Sequence, residues 1–414
     1  MPDQLTSRYW IMVASPAINA TWRDIPRGVW ALGLVSMFMD ISSEMIHALL
    51  PIYLVNVLGT SMTTVGFIEG IAEATAMITK VFSGTLSDWL GKRKLLAVIG
   101  YGLAAFTKPV FPLAGTVSWF VAARFVDRIG KGIRGAPRDA LVADIAPEHA
   151  RGASFGVRQS LDTIGAFIGP LLAIGLMLLT SNSFTLVFWV AVVPAFIAFA
   201  VLLFGVEEPE KHRREANGKR RLRLADATRL SGAFWAVVGV GALLTLARFS
   251  EAFLVLKAQT VGVPIALVPA VLIAMNIVYA LVSYPAGALS DRINRNTILI
   301  GGIGMLVIAD FVLAFSTAFP TVLIGVVFWG LHMGLTQGLL AALVTDTAPE
   351  DLRGTAFGVF NVANGAAMLA SSVIAGGLWD AFGPKMTFLA GAALTAVSLI
   401  GLFIASRARA QSWI

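Results

Sequence analysis

Twelve long apolar segments run through this chain and limit what it can fold into. Each is roughly 20 residues or longer, the length of helix that crosses a hydrocarbon core of about 30 Å. Because backbone N–H and C=O groups find no water inside a bilayer, spanning segments of this length must be helices. The sequence therefore predicts an all-α membrane protein with twelve transmembrane helices. They lie at about 29–56, 62–86, 93–113, 116–140, 153–179, 183–205, 232–257, 262–287, 297–316, 319–343, 355–378 and 386–406.

The composition excludes a soluble protein and several kinds of chemistry. Hydrophobic residues make up 57% of the chain and charged residues 13%, a balance that soluble domains of this length do not have. There is no cysteine, which excludes disulfides and thiol catalysis, and the four histidines show no metal-ligand spacing. No GxxxxGK[ST] loop is present to bind nucleotide phosphates, and no nucleophile–base constellation stands out. We therefore expect a protein that is not an enzyme and that holds no cofactor and no metal.

Basic residues are concentrated in loops on one side of the predicted membrane. They follow segments two, eight and twelve and crowd the long loop after segment six, whereas the opposite loops are short and almost uncharged. This positive-inside pattern predicts a cytoplasmic (inner) membrane protein with both termini in the cytoplasm. The formal net charge of +7 thus indicates contact with anionic lipid rather than with nucleic acid.

Two unrelated motifs occur twice at nearly the same offset. GTLSDWLGKRK from Gly84 returns as GALSDRINRNT from Gly287, 203 residues later, and ADIAPEHARGASFGV from Ala143 returns as TDTAPEDLRGTAFGV from Thr345, 202 residues later. The repeat predicts two pseudo-symmetric six-helix bundles in parallel orientation. The predicted parts are a cytoplasmic segment at 1–28, a first bundle at 29–206, a basic cytoplasmic linker at 207–231, a second bundle at 232–406 and a cytoplasmic tail at 407–414.

The motif GTLSDWLGKRK, its degenerate copy and the central loop together resemble the major facilitator superfamily, and the resemblance covers the whole chain. One departure is Trp89, where the family usually has a basic residue. The resemblance implies a transporter that binds a small solute between its two halves, near the middle of the membrane, and exposes it to each side in turn. We expect it to work as a monomer.

A cytoplasmic gate is implied by the same motifs. In the resembled family the aspartate of the first motif, here Asp88, meets the start of the eleventh helix, and by symmetry Asp291 would meet the start of the fifth. A carboxylate is favourable at a helix N-terminus, where the macrodipole is positive. The basic residues beside Asp88 also set the topology, and that role is compatible with a gate. The predicted gate residues are Gly84, Asp88, Gly91, Arg93, Glu148, Arg151, Asp291, Glu350 and Arg353.

Ionisable residues inside the first two segments are candidates for proton coupling, because charges within a membrane are costly and point to function. Asp40, Glu44 and His47 recur at i, i+4 and i+7 on one face of segment one, and Glu69 and Glu73 lie four apart in segment two. Neighbouring carboxylates hold protons more readily than isolated ones, as a coupling site requires. The alternative is that these acids pair with the arginines of segments four and five.

Segment four carries basic residues that match these acids. Arg124 and Arg128 lie four apart with Asp127 between them. Arg124 opens a stretch that resembles the family's arginine motif of the fourth helix, in which the arginine is associated with proton transfer. Structural pairing of Arg124 with Asp40 or Glu44 is the alternative.

Segments five and seven complete the candidate set. Arg158 and Asp162 are spaced to pair along one helix. GAFIGP follows, and its small residues allow close packing while its proline kinks the helix. It partly resembles the antiporter motif of the superfamily's exporters, although Ala173 and Ile174 stand where a glycine pair is usual. The remaining candidates are Gly165, Gly169 and Pro170 for the kinked fifth helix, and Arg248 and Glu251, three apart in segment seven.

These features predict a secondary active transporter, with proton-coupled efflux of a drug-like or toxic compound as the first hypothesis. A proton-coupled importer or a uniporter of a small, anionic metabolite is the second, because several arginines lie inside the membrane. Export of a metal ion or its chelate by the acidic face of segments one and two is the third. A channel, sensor or membrane enzyme that reuses the same fold is the alternative from a different class.

Overall fold

A computed structural model of the chain describes residues 24–208, 224–290, 293–349 and 352–411, except the side chains at 88, 148, 224–226, 288, 296 and 401–411. Within these ranges the chain forms fifteen α-helices and short 3-10 turns, with no strand. Nine helical stretches of this described part are long and apolar enough to cross a membrane. The prediction of an all-α membrane protein is confirmed. The helices are α1 Arg27–His47, α2 Leu50–Asn56, α3 Met62–Leu90, α4 Arg93–Thr107, α5 Val110–Leu113, α6 Val117–Ile145, α7 Arg151–Leu179, α8 Phe184–Gly205, α9 Gly232–Ala247, α10 Ala252–Thr260, α11 Ala270–Ser290, α12 Arg295–Phe315, α13 Phe319–Thr347, α14 Arg353–Phe382 and α15 Pro384–Gln411.

Three of the twelve predicted spans fall outside those nine stretches, and they coincide with α3, α6 and α15. Both α3 and α6 are 29 residues long, but their charged side chains lower the mean hydropathy. These two helices pack against each other and join their charges in ion pairs. The low hydropathy of α3 and α6 therefore reflects polar faces turned towards the inside of the bundle.

Three predicted segments are each split into two helices. Segment one breaks at Ala48 and Leu49, segment three at Lys108 and Pro109, and segment seven over residues 248–251. Proline explains the first two breaks, because it has no N–H to continue the helix ladder and suits the first turn of a new helix.

The third break lies between α9 and α10. Ser250 Oγ accepts a hydrogen bond of 3.2 Å from Ala252 N at the start of α10, and Ser250 N donates one of 3.3 Å to Ser372 Oγ of α14. Segment seven, predicted as one span that contains Arg248 and Glu251 three apart, is therefore not a continuous helix. Both residues lie in a non-helical link, whose backbone is held by α14.

The helices before residue 206 and those after it share one apolar cluster, which lies at one end of the bundle. It contains Tyr53 of α2 and Phe120 of α6 together with Phe253 of α10 and Val322 of α13. At the opposite end the described apolar clusters stay separate, one built by α1, α4, α6 and α8 and another by α9, α13 and α14. We call the end with the shared cluster the closed end, and the other the open end.

The helices α3 and α14 pack together along most of their length. The contact is close because glycines alternate with larger side chains: a Cβ built on Gly70 would lie 2.9 Å from Leu369 Cα, and one on Gly358 would lie 2.9 Å from Val81 Cγ1. Because glycine has no side chain, the two backbones approach closely at these positions, as they do at small residues between other membrane helices. This seam is the longest contact between the helices on either side of residue 206.

Two ion pairs repeat the internal symmetry of the sequence. Arg93 at the start of α4 pairs with Asp144 near the end of α6, and Arg295 at the start of α12 pairs with Asp346 near the end of α13. Each residue of the first pair is 202 positions before its counterpart in the second. The same helix-end contact therefore occurs twice at the offset of the sequence repeat.

Candidate functional site

Ionisable residues predicted from the sequence surround a cavity of about 240 Å³ in the middle of the bundle. Its walls come from α1, α3, α6, α7, α11 and α14 and from the link between α9 and α10. A second cavity, of about 290 Å³, adjoins it on the side of the open end and shares Glu44, Glu73 and Lys131 with it. Of the predicted residues, the first cavity is lined by Glu44, His47, Glu69, Glu73, Arg128, Arg248 and Glu251, and the second also by Asp40 and Asp162.

His47, the last residue of α1, bridges two carboxylates. Its Nδ1 lies 3.3 Å from Glu44 Oε2 and its Nε2 lies 3.4 Å from Glu69 Oε2. Glu69 has no exposed surface, and both of its oxygens accept hydrogen bonds of 3.1 Å from Arg124 Nη2. Arg124 therefore pairs with Glu69, and not with Asp40 or Glu44 as in the alternative considered above. The imidazole can exchange a proton with a carboxylate on either side.

A second ionic group lies beside this bridge. Arg128 Nη1 lies 3.3 Å from Glu73 Oε1, and Asp127 Oδ1 accepts a hydrogen bond of 2.9 Å from Lys108 Nζ. Lys108 also donates to Ser43 Oγ at 3.1 Å and is only 1% exposed. Sequence reasoning missed Lys108, although a lysine next to Pro109 inside an apolar segment is a visible signal. Its ammonium compensates the buried charge of Asp127, as buried charges require.

Asp162 lines the second cavity and contacts two arginines there. Its carboxylate lies 3.4 Å from Arg138 Nη1 and 3.5 Å from Arg158 Nη1, and the latter contact is the i, i+4 pair that the spacing predicts. Arg138 also donates to Ser36 Oγ at 3.0 Å, which ties α6 to α1. Asp40 of α1 lies beside Asp162 and lines the same cavity.

The glycines of GAFIGP allow α7 to approach α1 beside this wall. A Cβ built on Gly165 would lie 3.1 Å from Asp40 Cβ, and one on Gly169 would lie 2.8 Å from Glu44 Cβ. Pro170 follows inside α7 and is buried. The close packing predicted for this motif is present, and it brings α7 against the acidic face of α1.

Three ionisable residues on the cavity wall have no ion-pair partner within the described part of the chain. They are Lys131 of α6, and Arg248 and Glu251 of the α9–α10 link. Lys131 is exposed to the cavity, and Arg248 and Glu251 are half-buried. The wall therefore presents two basic side chains and one acidic side chain outside the ion pairs described above. The described residues contain no group of three histidine, aspartate or glutamate side chains that could hold a metal ion.

Only part of the predicted gate can be located. Gly91 ends α3 with a φ of 59°, in the left-handed region that favours glycine, and a Cβ on Gly84 would contact Ala136 of α6 at 3.4 Å. Arg151 and Arg353 begin α7 and α14, which matches the predicted helix starts closely, and Arg93 forms the pair with Asp144 described above. Asp291 and Glu350 lie outside the described residues, as do the side chains of Asp88 and Glu148.

Sequence reasoning also missed Asp380, in the last turn of α14 at the closed end. Its Oδ1 accepts a hydrogen bond of 2.9 Å from Met62 N, and its Oδ2 accepts bonds of 2.8 Å from Thr63 N and 2.6 Å from Thr63 Oγ1. An aspartate of α14 thus caps the first turn of α3, where free N–H groups and the helix dipole favour an anion. The sequence signal is weak, because a capping partner more than 300 residues away cannot be read from local pattern.

Comparison with known proteins finds one matching family profile and several similar transport proteins. The Major Facilitator Superfamily profile matches residues 32–372. An uncharacterized MFS-type transporter of Methanocaldococcus jannaschii is 34% identical, over 93% of this chain and 97% of that one. The inner membrane transport protein YajR of Escherichia coli is 25% identical, over 90% of this chain and 82% of that one. The quinolone resistance protein NorA of Staphylococcus aureus is 27% identical, over 48% of each chain.

Solved structures share the fold at low sequence identity. The nucleoside transporter NupG superposes with a TM-score of 0.78 at 13% identity, over 91% of this chain and 99% of that one. A D-xylose-proton symporter superposes with a TM-score of 0.71 at 17% identity, over 90% of this chain and 96% of that one.

Proposed function

The chain belongs to the Major Facilitator Superfamily, and on that premise we propose that it is a proton-coupled secondary transporter of small solutes. It works by alternating access: the solute binds in the central cavity, and the two helix groups rock to open that cavity to one side of the membrane and then to the other. The observation that carries proton coupling is the imidazole of His47, held between the carboxylates of Glu44 and Glu69 on the cavity wall.

The proposed architecture has twelve membrane helices in two six-helix halves, at 29–206 and 232–406, joined by the linker 207–231. The broken helices α1–α2, α4–α5 and α9–α10 each count as one span, and the charged helices α3 and α6 cross the membrane with their polar faces inward. The repeated ion pairs Arg93–Asp144 and Arg295–Asp346 support two related halves. A single protomer holds the whole cavity, which agrees with a transporter that acts as a monomer.

The proposed conformation is inward-facing. The basic loops support an orientation in the inner membrane with both termini and the open end of the bundle on the cytoplasmic side. In that orientation the shared apolar cluster seals the outer side, and the second cavity leads from Glu44 and Glu73 towards the cytoplasm.

Efflux of a drug-like or toxic compound is the first proposal for direction and cargo. It is supported by the GAFIGP motif of α7 and by the similarity to a quinolone resistance protein over about half of each chain. An anionic solute is the second proposal. Lys131 and Arg248 support it, because they face the cavity from opposite halves and neither has an ion-pair partner among the described residues.

Transport by purified protein in liposomes tests the proposal. Liposomes with an imposed pH gradient are loaded with a panel of a quinolone, the cation ethidium and several carboxylate anions. Proton coupling predicts that flux of the transported compound follows the direction of the gradient and stops when a protonophore collapses it. Flux that is the same with and without the gradient would rule out coupling. Flux that never saturates with concentration would indicate a channel instead.

Substitution of the two free cations separates the two kinds of cargo. The double change Lys131→Gln and Arg248→Gln should weaken transport of anions about tenfold or more and leave cation transport intact, because it removes attraction that only an anion uses. Arg229→Gln, in the 3-10 turn before α9, serves as the loss of one positive charge outside the cavity and is compared with each of the two single variants. Equal losses for anions and cations would reject a role of this pair in choosing the solute.

A further inference from the structure

Asp310 has a carboxyl group buried in the last third of α12, without a partner among the described residues. None of its surface is exposed, and neither Oδ1 nor Oδ2 has a hydrogen-bond partner. A charged carboxylate in such a place is strongly unfavourable, because it is buried away from bulk solvent and no cation among the described residues pairs with it. The neutral, protonated acid lacks most of that penalty. The surroundings of Asp310 therefore favour its protonated form over the charged one.

The packing around Asp310 leaves space for its carboxyl group. A Cβ on Gly391 of α15 would lie 2.8 Å from Asp310 Oδ2 and 3.2 Å from its Cγ, so that only glycine leaves the space that the carboxyl group fills. The same Cβ on Gly391 would lie 3.0 Å from Phe249 Cε1. The carboxyl group of α12, the glycine of α15 and the ring of Phe249 thus meet at one place.

Phe249 lies between this place and the central cavity. It lines the cavity, yet only 4% of its surface is exposed, and its ring packs against Trp329 and Phe388 with centroid distances of 5.6 and 5.4 Å. It belongs to the non-helical link between α9 and α10. The ring therefore separates the carboxyl group of Asp310 from the solute cavity.

We propose that Asp310 is a second proton-binding site of this transporter, in the half opposite His47, and that Phe249 controls its access from the cavity. The inference rests on the proposed proton-coupled function, which assigns coupling to His47, Glu44 and Glu69 of α1 and α3. When the α9–α10 link turns, the cavity reaches the carboxyl group, and the proton passes to water or to a group on the cavity wall. When the ring returns, the proton is trapped.

None of the other ionisable groups on the elements around Asp310 is placed to bind this proton in its stead. On α13, His332 is bonded through Nδ1 to Gly302 O at 2.9 Å, two turns away along α12. On α15, Lys385 lies over the ring of Phe315 at 4.5 Å. Arg248 and Glu251 face the cavity on the other side of Phe249. The helices α9 and α11 carry no acidic or basic residue.

Infrared difference spectroscopy of the full-length protein in lipid nanodiscs tests the site without any solute. A protonated, unbonded carboxyl group gives a separate C=O stretching band, which should be present in the wild type and absent in Asp310→Asn. Identical spectra would overturn the proposal. Should Asp310→Asn not fold, Gly391→Ala provides the second variant, because its methyl group must shift the same band, and an unshifted band would overturn the assignment.

Exchange into D₂O tests the control by Phe249. Phe249→Ala should speed the deuterium shift of the Asp310 band at least tenfold. Phe311→Ala, which removes the 56% exposed ring next to Asp310 in the sequence, should not change it. Equal rates in the wild type and in Phe249→Ala would remove Phe249 from the pathway. This outcome is independent of the liposome assay. If the Asp310 band behaves as expected but flux does not depend on the pH gradient, proton coupling is rejected and the proton-binding site at Asp310 is retained.

Discussion

His47 is the residue through which the buried carboxylates of α1 and α3 meet. We expect His47→Gln to lower gradient-driven flux at least tenfold, because the amide keeps a hydrogen bond to Glu44 but cannot exchange a proton. Exchange of labelled for unlabelled solute without a gradient needs no net proton movement and should persist. Comparing the two fluxes in liposomes measures the effect.

His149→Gln is the control for that change, since His149 lies exposed in the loop before α7. A loss of both fluxes in His47→Gln would show that the residue maintains structure rather than coupling. Full gradient-driven flux in His47→Gln would remove it from the proton pathway.

Single-residue predictions from the sequence succeed where spacing alone decides the contact. The interval of four residues between Arg158 and Asp162 predicts their pair, because it depends only on the geometry of α7. The partner of Arg124 could not be predicted in this way. Its choice of Glu69 depends on how α3 and α6 pack, and nothing in the local pattern distinguishes Glu69 from the acids of α1.

At the scale of helices, hydropathy predicts where segments lie but not where they break. Segment seven is apolar enough to span a membrane, yet it is interrupted over residues 248–251, where one hydrogen bond to α14 and one from Ala252 N to Ser250 Oγ replace those of a helix. The break turns Arg248 and Glu251 towards the cavity and Phe249 towards Asp310. Only tertiary contacts, which a sequence window does not contain, specify it.

The contact of α14 with the start of α3 predicts a shift between conformations. Asp380→Ala removes three hydrogen bonds at the closed end, and losing such a helix cap costs roughly 0.5–2 kcal/mol. If the two ends open alternately, this loss destabilises only the conformation in which the end containing Asp380 is closed. The population of that conformation should drop about two- to thirtyfold. Asp380→Asn, which keeps one acceptor oxygen, should lie between the wild type and Asp380→Ala.

Distances between spin labels at introduced cysteines measure that shift, because the natural chain has no cysteine. Labels at Val57 and Leu267, both exposed near the closed end, should move apart in Asp380→Ala. Labels at Leu90 and Ile293, near the open end, should move together. Unchanged distances at both ends would show that the cap stabilises α3 alone and does not choose a conformation.

For the whole molecule, alternating access requires that each conformation be stabilised by contacts that the other lacks. The closed end of this structure has such contacts in the shared apolar cluster and in the cap at Asp380. The sequence motif predicts the corresponding contact for the other end, where Asp88 would cap the start of α14. The same two helices, α3 and α14, would then carry a capping aspartate at each end, one contributed by each helix.

This arrangement predicts that the two aspartates act in opposite directions and compensate. Asp88→Asn alone should disfavour the outward-facing state and slow transport about fivefold for a loss of 1 kcal/mol, without impairing membrane insertion. Asp380→Ala alone should disfavour the inward-facing state. Because the two sites lie at opposite ends of α3, their effects should add, and the double variant should return towards the wild-type balance of label distances and regain part of its flux. A double variant slower than either single variant would contradict the assignment of the two caps to opposite states.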